Sequence, residues 1–305
     1  MVVMICEIDD LKIYYETHGD GMPVLMIHGY RFDHNVMTGC MEPIFKGRRG
    51  WKRIYFDLPG MGRTRAKDQL KNSDQMLEIV KNSDQMLEIV KQFSEQVIPD
   101  GVFLVAGESY GGYLARGLVH DIPERLVGVL LICPVIIADQ KSRDLPPRHV
   151  FVRDAELLVG IAPNERKMFE RMLVLQDKTR WDRWQIDIVP GLRARDASFT
   201  EQFIKRHGYS FSFDVDRLER PFDKPSLILS GRQDPCVGYR DSLKIVENYS
   251  YGTFAILDRA GHGLEAEQEA VFNCMVNEWL DRVEEYNRSE SVLHILVNNS
   301  NSILK

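Results

Sequence analysis

Six short apolar runs, at residues 24–27, 54–56, 102–106, 127–132, 227–229 and 254–257, constrain this chain more than any other feature. Each is short for a helix, lacks polar alternation and is separated from the next by helical or loop stretches. A strand apolar on both faces must be covered on both faces, and strands that alternate with helices form parallel sheets. The predicted fold class is therefore α/β, with a mostly parallel central sheet flanked by helices. Two alternating runs at 5–8 and 12–17, on either side of Asp9-Asp10, add a hairpin at the sheet edge.

No further run of this kind occurs from 133 to 226; helical patterns take its place. The first covers 164–175, with Met168, Met172 and Leu175 on one face. The second covers about 180–189, with Trp181, Trp184 and Ile188 at helical spacing, and stops at Pro190-Gly191. The third opens on the capping pair Ser198 and Glu201 and carries Phe199, Phe203 and Ile204. The expected organisation is a helical cap at 134–220 inserted into an α/β core made of 1–133 and 221–286. Residues 287–305 form a tail, appended or disordered.

Residues 71–80 are repeated without change as 81–90. Ten residues turn a helix through about 1000°, which leaves the second apolar stripe roughly 80° off the first. A single straight helix cannot bury both copies on one face. The second copy continues in register through Met86, Val90, Phe93 and Val97 with Asn82-Ser83 as its cap, so the first is expected to be displaced or looped.

The chain has 305 residues, 44% hydrophobic and 28% charged, and a formal charge of −6. This is soluble globular composition, and its acidic balance argues against a nucleic-acid partner. No stretch approaches the roughly 18 apolar residues of a membrane span. Five scattered cysteines without metal or redox spacing read as reduced thiols, and the first residues lack a basic leader pattern, so a cytoplasmic protein is expected.

The chemistry centres on Gly107-Glu108-Ser109-Tyr110-Gly111. A Gly-x-Ser-x-Gly string is weak evidence by itself, but this one directly follows the 102–106 run and opens a helical stretch. That is the strand-turn-helix setting of a nucleophile elbow, where a sharp turn excludes side chains at both glycines. A serine hydroxyl is a poor nucleophile at neutral pH. It needs an imidazole to take its proton and a carboxylate to orient that imidazole. Asp234 follows the 227–229 run and His262 the 254–257 run, both past strand carboxyl ends, where ligands bind in open parallel sheets. Asp223 and Asp258 are the competing acids; the first precedes its strand and the second lies four residues from His262. For the oxyanion, the Tyr110 amide follows the nucleophile, and the Tyr30 amide follows His28-Gly29 after the 24–27 run. His28 itself is expected to pin this loop.

Taken together, His28-Gly29, the 57–63 segment Asp-Leu-Pro-Gly-Met-Gly-Arg, the Ser109 elbow, Gly231-Arg-Gln-Asp234 and Gly261-His262 resemble the α/β-hydrolase superfamily over residues 8–285. The resemblance implies a capped serine hydrolase with Ser109, Asp234 and His262 as triad, a supporting role for 57–62, and no metal or cofactor. A serine at 109 disfavours enzymes of the superfamily that attack through a carboxylate, and the His-Gly-Tyr-Arg-Phe loop departs from the peptidase form.

The expected reaction is hydrolysis of a small carboxylic ester through an acyl-enzyme, by a monomer or homodimer acting on a small acyl substrate. Two other functions share the residues: carbon-carbon bond hydrolysis of diketone-type substrates, and slow-turnover ligand binding. Phe151, Trp181 and Trp184 are candidate acyl-pocket residues, unless they pack the cap. Arg148, Arg153 and Arg180 are candidate carboxylate binders, unless they are solvated surface.

Overall fold

The computed structural model describes residues 1–66, 73–99, 101–206 and 208–303, with side chains for all of these but 73–75 and 290–303. Strands β1 (Val2–Ile8) and β2 (Leu11–His18) form the edge hairpin, with Asp9 in its turn at φ 47°. There follow β3 (Met22–Ile27), α1 (Asn35–Phe45), β4 (Trp51–Phe56), the two-residue β5 (Arg65–Ala66), α2 (Ser73–Ile79), α3 (Ser83–Val97), β6 (Phe103–Glu108), α4 (Tyr110–Asp121) and β7 (Leu126–Ile132). The expected apolar runs are these strands, and β6 and β7 are buried along their whole length.

Residues 134–220, the segment expected to form a cap, contain β8 (Val152–Arg153), α5 (Ala155–Gly160), α6 (Pro163–Met172), β9 (Leu175–Gln176), α7 (Lys178–Asp187), α8 (Val189–Ala194) and α9 (Ala197–Lys205). The core resumes with β10 (Ser226–Gly231), β11 (Gly252–Leu257), α10 (Leu264–Glu267) and α11 (Glu269–Ile303). The main sheet runs β1-β2-β4-β3-β6-β7-β10-β11, with β5 beside β2. All pairings from β4 to β11 are parallel. Helix α11 lays Phe272, Val276, Trp279, Leu280 and Val283 into the core, and its backbone continues through most of the expected tail; residues 304–305 lie outside the described residues.

Both copies of the repeat are helical, and the helix is interrupted between them at 80–82. The Asn82 side chain caps α3 by accepting from the Gln85 amide at 3.0 Å. Met76, Leu77 and Val80 are buried in the first copy and Met86, Leu87 and Val90 in the second. Two short helices can each turn the same stripe inward, which one straight helix cannot. The first copy is thus displaced as a helix of its own, not a loop; Lys71 and Asn72 lie outside the described residues.

This segment has more elements than the sequence pattern suggests. Helix α6 stops at Met172, and Leu175 belongs to β9, which pairs with β8. Helix α9 starts before Ser198, because Asp196 accepts from the Phe199 amide at 2.9 Å and takes the capping role. Inside the cap, Trp181 and Trp184 stand edge-on to Phe169, with ring centroids 5.2 and 5.5 Å away.

Candidate active site

Ser109 sits between β6 and α4 with φ 54°, a left-handed conformation that non-glycine residues rarely hold. The surrounding backbone enforces it: the Ser109 amide donates to the Ile132 carbonyl at 2.9 Å, and its carbonyl accepts from the Val135 amide at 3.0 Å. A Cβ on Gly111 would collide with the Ile27 carbonyl, so the turn can pack against β3 only with glycine there.

His262 lies beyond β11 and Asp234 beyond β10. His262 Nε2 is 2.9 Å from Ser109 Oγ, and its Nδ1 is 2.7 Å from Asp234 Oδ2. The other Asp234 oxygen accepts from the Cys236 and Val237 amides at 2.7 and 3.1 Å. Burial would raise the Asp234 pKa, but the imidazole and these amides hold it below the usual carboxylate value. Burial would likewise depress His262; the facing Asp234 carboxylate outweighs this and holds the imidazole well above the ordinary histidine value. The competing acids lie elsewhere: Asp223 is exposed before β10, and Asp258 is exposed beside Arg232. Such a chain of groups can move a proton from the hydroxyl to the imidazole while the aspartate stays ionised.

The loop carrying Tyr30 is pinned to the turn after β4. His28 is fully buried and neutral, its pKa pushed down to about 4 by burial. Its Nδ1–H donates to the Gly29 carbonyl at 2.7 Å, and Nε2 accepts from the Leu58 amide at 3.0 Å. Asp57 accepts from the His34 amide and ring at 2.8 Å each and from the Arg63 amide at 2.6 Å. The Tyr30 hydroxyl donates to the Thr200 carbonyl of the cap at 2.7 Å, and its ring stands edge-on to Tyr110. Tyr110 opens α4, so its amide has no acceptor within the helix.

A cavity of about 950 Å³ opens above Ser109 and His262. Its apolar wall includes Phe32, Val135, Met168, Met172, Ile204 and Val237. Of the aromatic residues expected there, none lines it. Trp181 packs the cap, Phe151 stands edge-on to His149, and Trp184 faces a smaller cavity on the far side of His262. The basic residues also differ from expectation. Arg148 donates to the Glu170 and Leu173 carbonyls, Arg153 pairs with Glu170, and Arg180 pairs with Asp177. Arg31, Lys141, Arg143 and Arg171 line the cavity instead, against one carboxylate, Asp139. Nothing in their local sequence marks them, because segments distant in the chain bring them together.

Glu267, which the sequence reading passed over, joins the cap to the His262 loop. Its carboxylate accepts from the Gly261, Val174 and Leu175 amides at 2.6, 2.5 and 2.8 Å, and His262 N donates to the Met172 carbonyl at 2.8 Å. Glu267→Leu would orphan three buried amides, and we expect it to lower unfolding free energy by about 3–5 kcal/mol in urea titration. Glu267→Gln, which keeps one acceptor oxygen, should lose less.

No helix among the described residues is long and apolar enough to cross a membrane. The chain is 24% identical over 275 residues to a pimeloyl-[acyl-carrier protein] methyl ester esterase of Legionella pneumophila (strain Paris), covering 88% of this chain and all of that one. Among solved structures, an alpha/beta superfamily hydrolase from Oenococcus oeni PSU-1 superposes with a TM-score of 0.77 at 29% identity, over 89% of this chain and 96% of that one. A meta-cleavage product hydrolase from Pseudomonas fluorescens IP01 shares the fold at a TM-score of 0.61 and 20% identity, over 89% and 94% of the two chains. The sequence model of the alpha/beta hydrolase family matches residues 24–273, and with the sheet order and the placement of Ser109, Asp234 and His262 this makes the chain a member of that family.

Proposed function

We propose that the protein is a serine carboxylic ester hydrolase acting through an acyl-enzyme on Ser109. The observation that carries the reading is the continuous hydrogen-bonded series Asp234–His262–Ser109 at the floor of an open cavity. Ser109 Oγ attacks the ester carbonyl as His262 Nε2 takes its proton, with the Tyr30 and Tyr110 amides holding the oxyanion. His262 passes that proton to the departing alcohol. It then deprotonates a water that adds to the acyl carbon, and returns the proton to Ser109 Oγ as the acid leaves. The ester-hydrolase names of the Legionella relatives support this reaction class.

The cavity lining favours acyl groups that carry a negative charge away from the ester. Four cations face one carboxylate in a chain whose formal charge is −6, and low-dielectric walls concentrate that local field. A panel of p-nitrophenyl esters, lactones and diketones, with neutral and half-acid esters of one chain length, tests the reading. Ester turnover with higher kcat/KM for the half-acid ester is expected, and turnover of diketones alone would overturn it. Arg171→Ala should lower the half-acid to neutral ratio by about 2- to 5-fold, the scale of an exposed ion pair. Added salt should erode the same ratio.

A further inference from the structure

The smaller cavity behind His262 contains a group that the triad does not use. Glu108, the residue before the nucleophile, is buried, and its Oε1 is 3.5 Å from His262 Nε2. Its other oxygen makes no well-formed hydrogen bond and lies against Gly29, whose backbone amide favours the charged carboxylate and where a Cβ would collide with it. Three more buried polar atoms without partners belong to residues lining the same cavity: Glu265 Oε2, Trp184 Nε1 and Arg180 Nε. Buried polar groups are nearly always satisfied, and ordered water commonly satisfies them. The cavity measures about 20 Å³. A water needs about 10–15 Å³ and two to four polar partners, so the cavity admits a water.

Phe32, Met172 and His262 line both this cavity and the large one, so the two meet at the imidazole. We propose that the small cavity is a water site beside the imidazole, with Glu108 as the positioning residue that holds the water used to hydrolyse the acyl-enzyme. This inference rests on the acyl-enzyme reading above. In the deacylation step the held water gives a proton to His262 Nε2 and its oxygen bonds to the acyl carbon. The imidazole then returns the proton to Ser109 Oγ as the C–Oγ bond breaks. Glu108 is unchanged at the end. Burial first, and the Glu265 and Asp234 charges after it, push the Glu108 carboxyl up to about 8, against the opposing pull of His262. Near neutral pH it is therefore mostly the uncharged acid, able to donate one hydrogen bond and accept another without competing with Asp234 for the imidazolium.

Stopped-flow hydrolysis of p-nitrophenyl acetate by the full chain, with methanol as a competing acceptor, separates the steps. In Glu108→Leu, the acylation burst should stay within about 3-fold of wild type while deacylation slows about 10- to 100-fold. The ratio of methyl acetate to acetate should rise, because methanol arrives through the large cavity and water no longer arrives from the small one. Glu108→Gln, which keeps a donor and an acceptor, should restore most of the rate. Trp184→Phe removes one polar partner and keeps the ring, so it should shift the product ratio the same way by a smaller factor; it also provides the test if Glu108→Leu does not fold. Acylation and deacylation falling together, or an unchanged product ratio, would overturn the water site while leaving the esterase reading intact. Failure of a fluorophosphonate to label wild-type Ser109, read by mass spectrometry, would overturn both.

Discussion

Ser109→Ala is expected to lower kcat for an activated ester by about 10⁴- to 10⁶-fold and to abolish fluorophosphonate labelling, with the folded state retained. The loss falls on one atom. Ser109 Oγ meets His262 Nε2, whereas the strained turn is held by backbone bonds to Ile132 and Val135 that alanine also makes. Alanine tolerates a φ of 54° about as poorly as serine, so the strain is nearly unchanged. Thermal melting and near-UV circular dichroism should therefore match wild type within about 1 kcal/mol, the worth of one hydrogen bond. Hydrolysis of p-nitrophenyl butyrate that survives in purified Ser109→Ala would remove this residue as nucleophile.

Asp234→Asn should cost about 10⁴-fold in kcat near neutral pH, the scale for losing the carboxylate that fixes the imidazole tautomer. The amide can present its NH₂ to His262 Nδ1, which leaves the proton on Nε2, where it cannot accept from Ser109. The pH profile should move as well, in a direction set by the charges. In wild type the Asp234 carboxylate holds the His262 pKa well above the ordinary histidine value, and only the neutral imidazole can take the Ser109 proton. Activity is therefore present above that raised pKa and lost as pH falls through it. With asparagine the carboxylate is gone while burial continues to depress the imidazole, so the acid limb of kcat/KM should shift to lower pH even as the plateau drops. A limb that stays in place would mean that another group sets it.

The residues of the candidate triad were legible because each depends on its immediate neighbours. Apolar runs covered on both faces identify strands, and the turn after a strand identifies where its carboxyl edge can present a side chain. The start of α9 was less legible because Asp196 and Ser198 both have capping chemistry, and only the Asp196 bond to the Phe199 amide decides between them. The pocket residues were misread for a different reason. Helical spacing places Trp181 and Trp184 on a common face but does not say which way that face turns, and the cap turns it toward Phe169 while Met168 and Met172 line the cavity.

The sequence by itself therefore determined the α/β fold and the chain order of Ser109, Asp234 and His262, since these are written in periodicity and in short strand-turn signals. Only the tertiary structure decided the lining of the cavity, the cluster of Arg31, Lys141, Arg143 and Arg171, and the meeting of Glu108 with Glu265, Trp184 and Arg180 behind His262. Those residues come from segments far apart in the chain. Which side chains share a cavity depends on how the cap docks, and docking is decided by long-range packing and by buried ties such as Glu267, not by any local pattern.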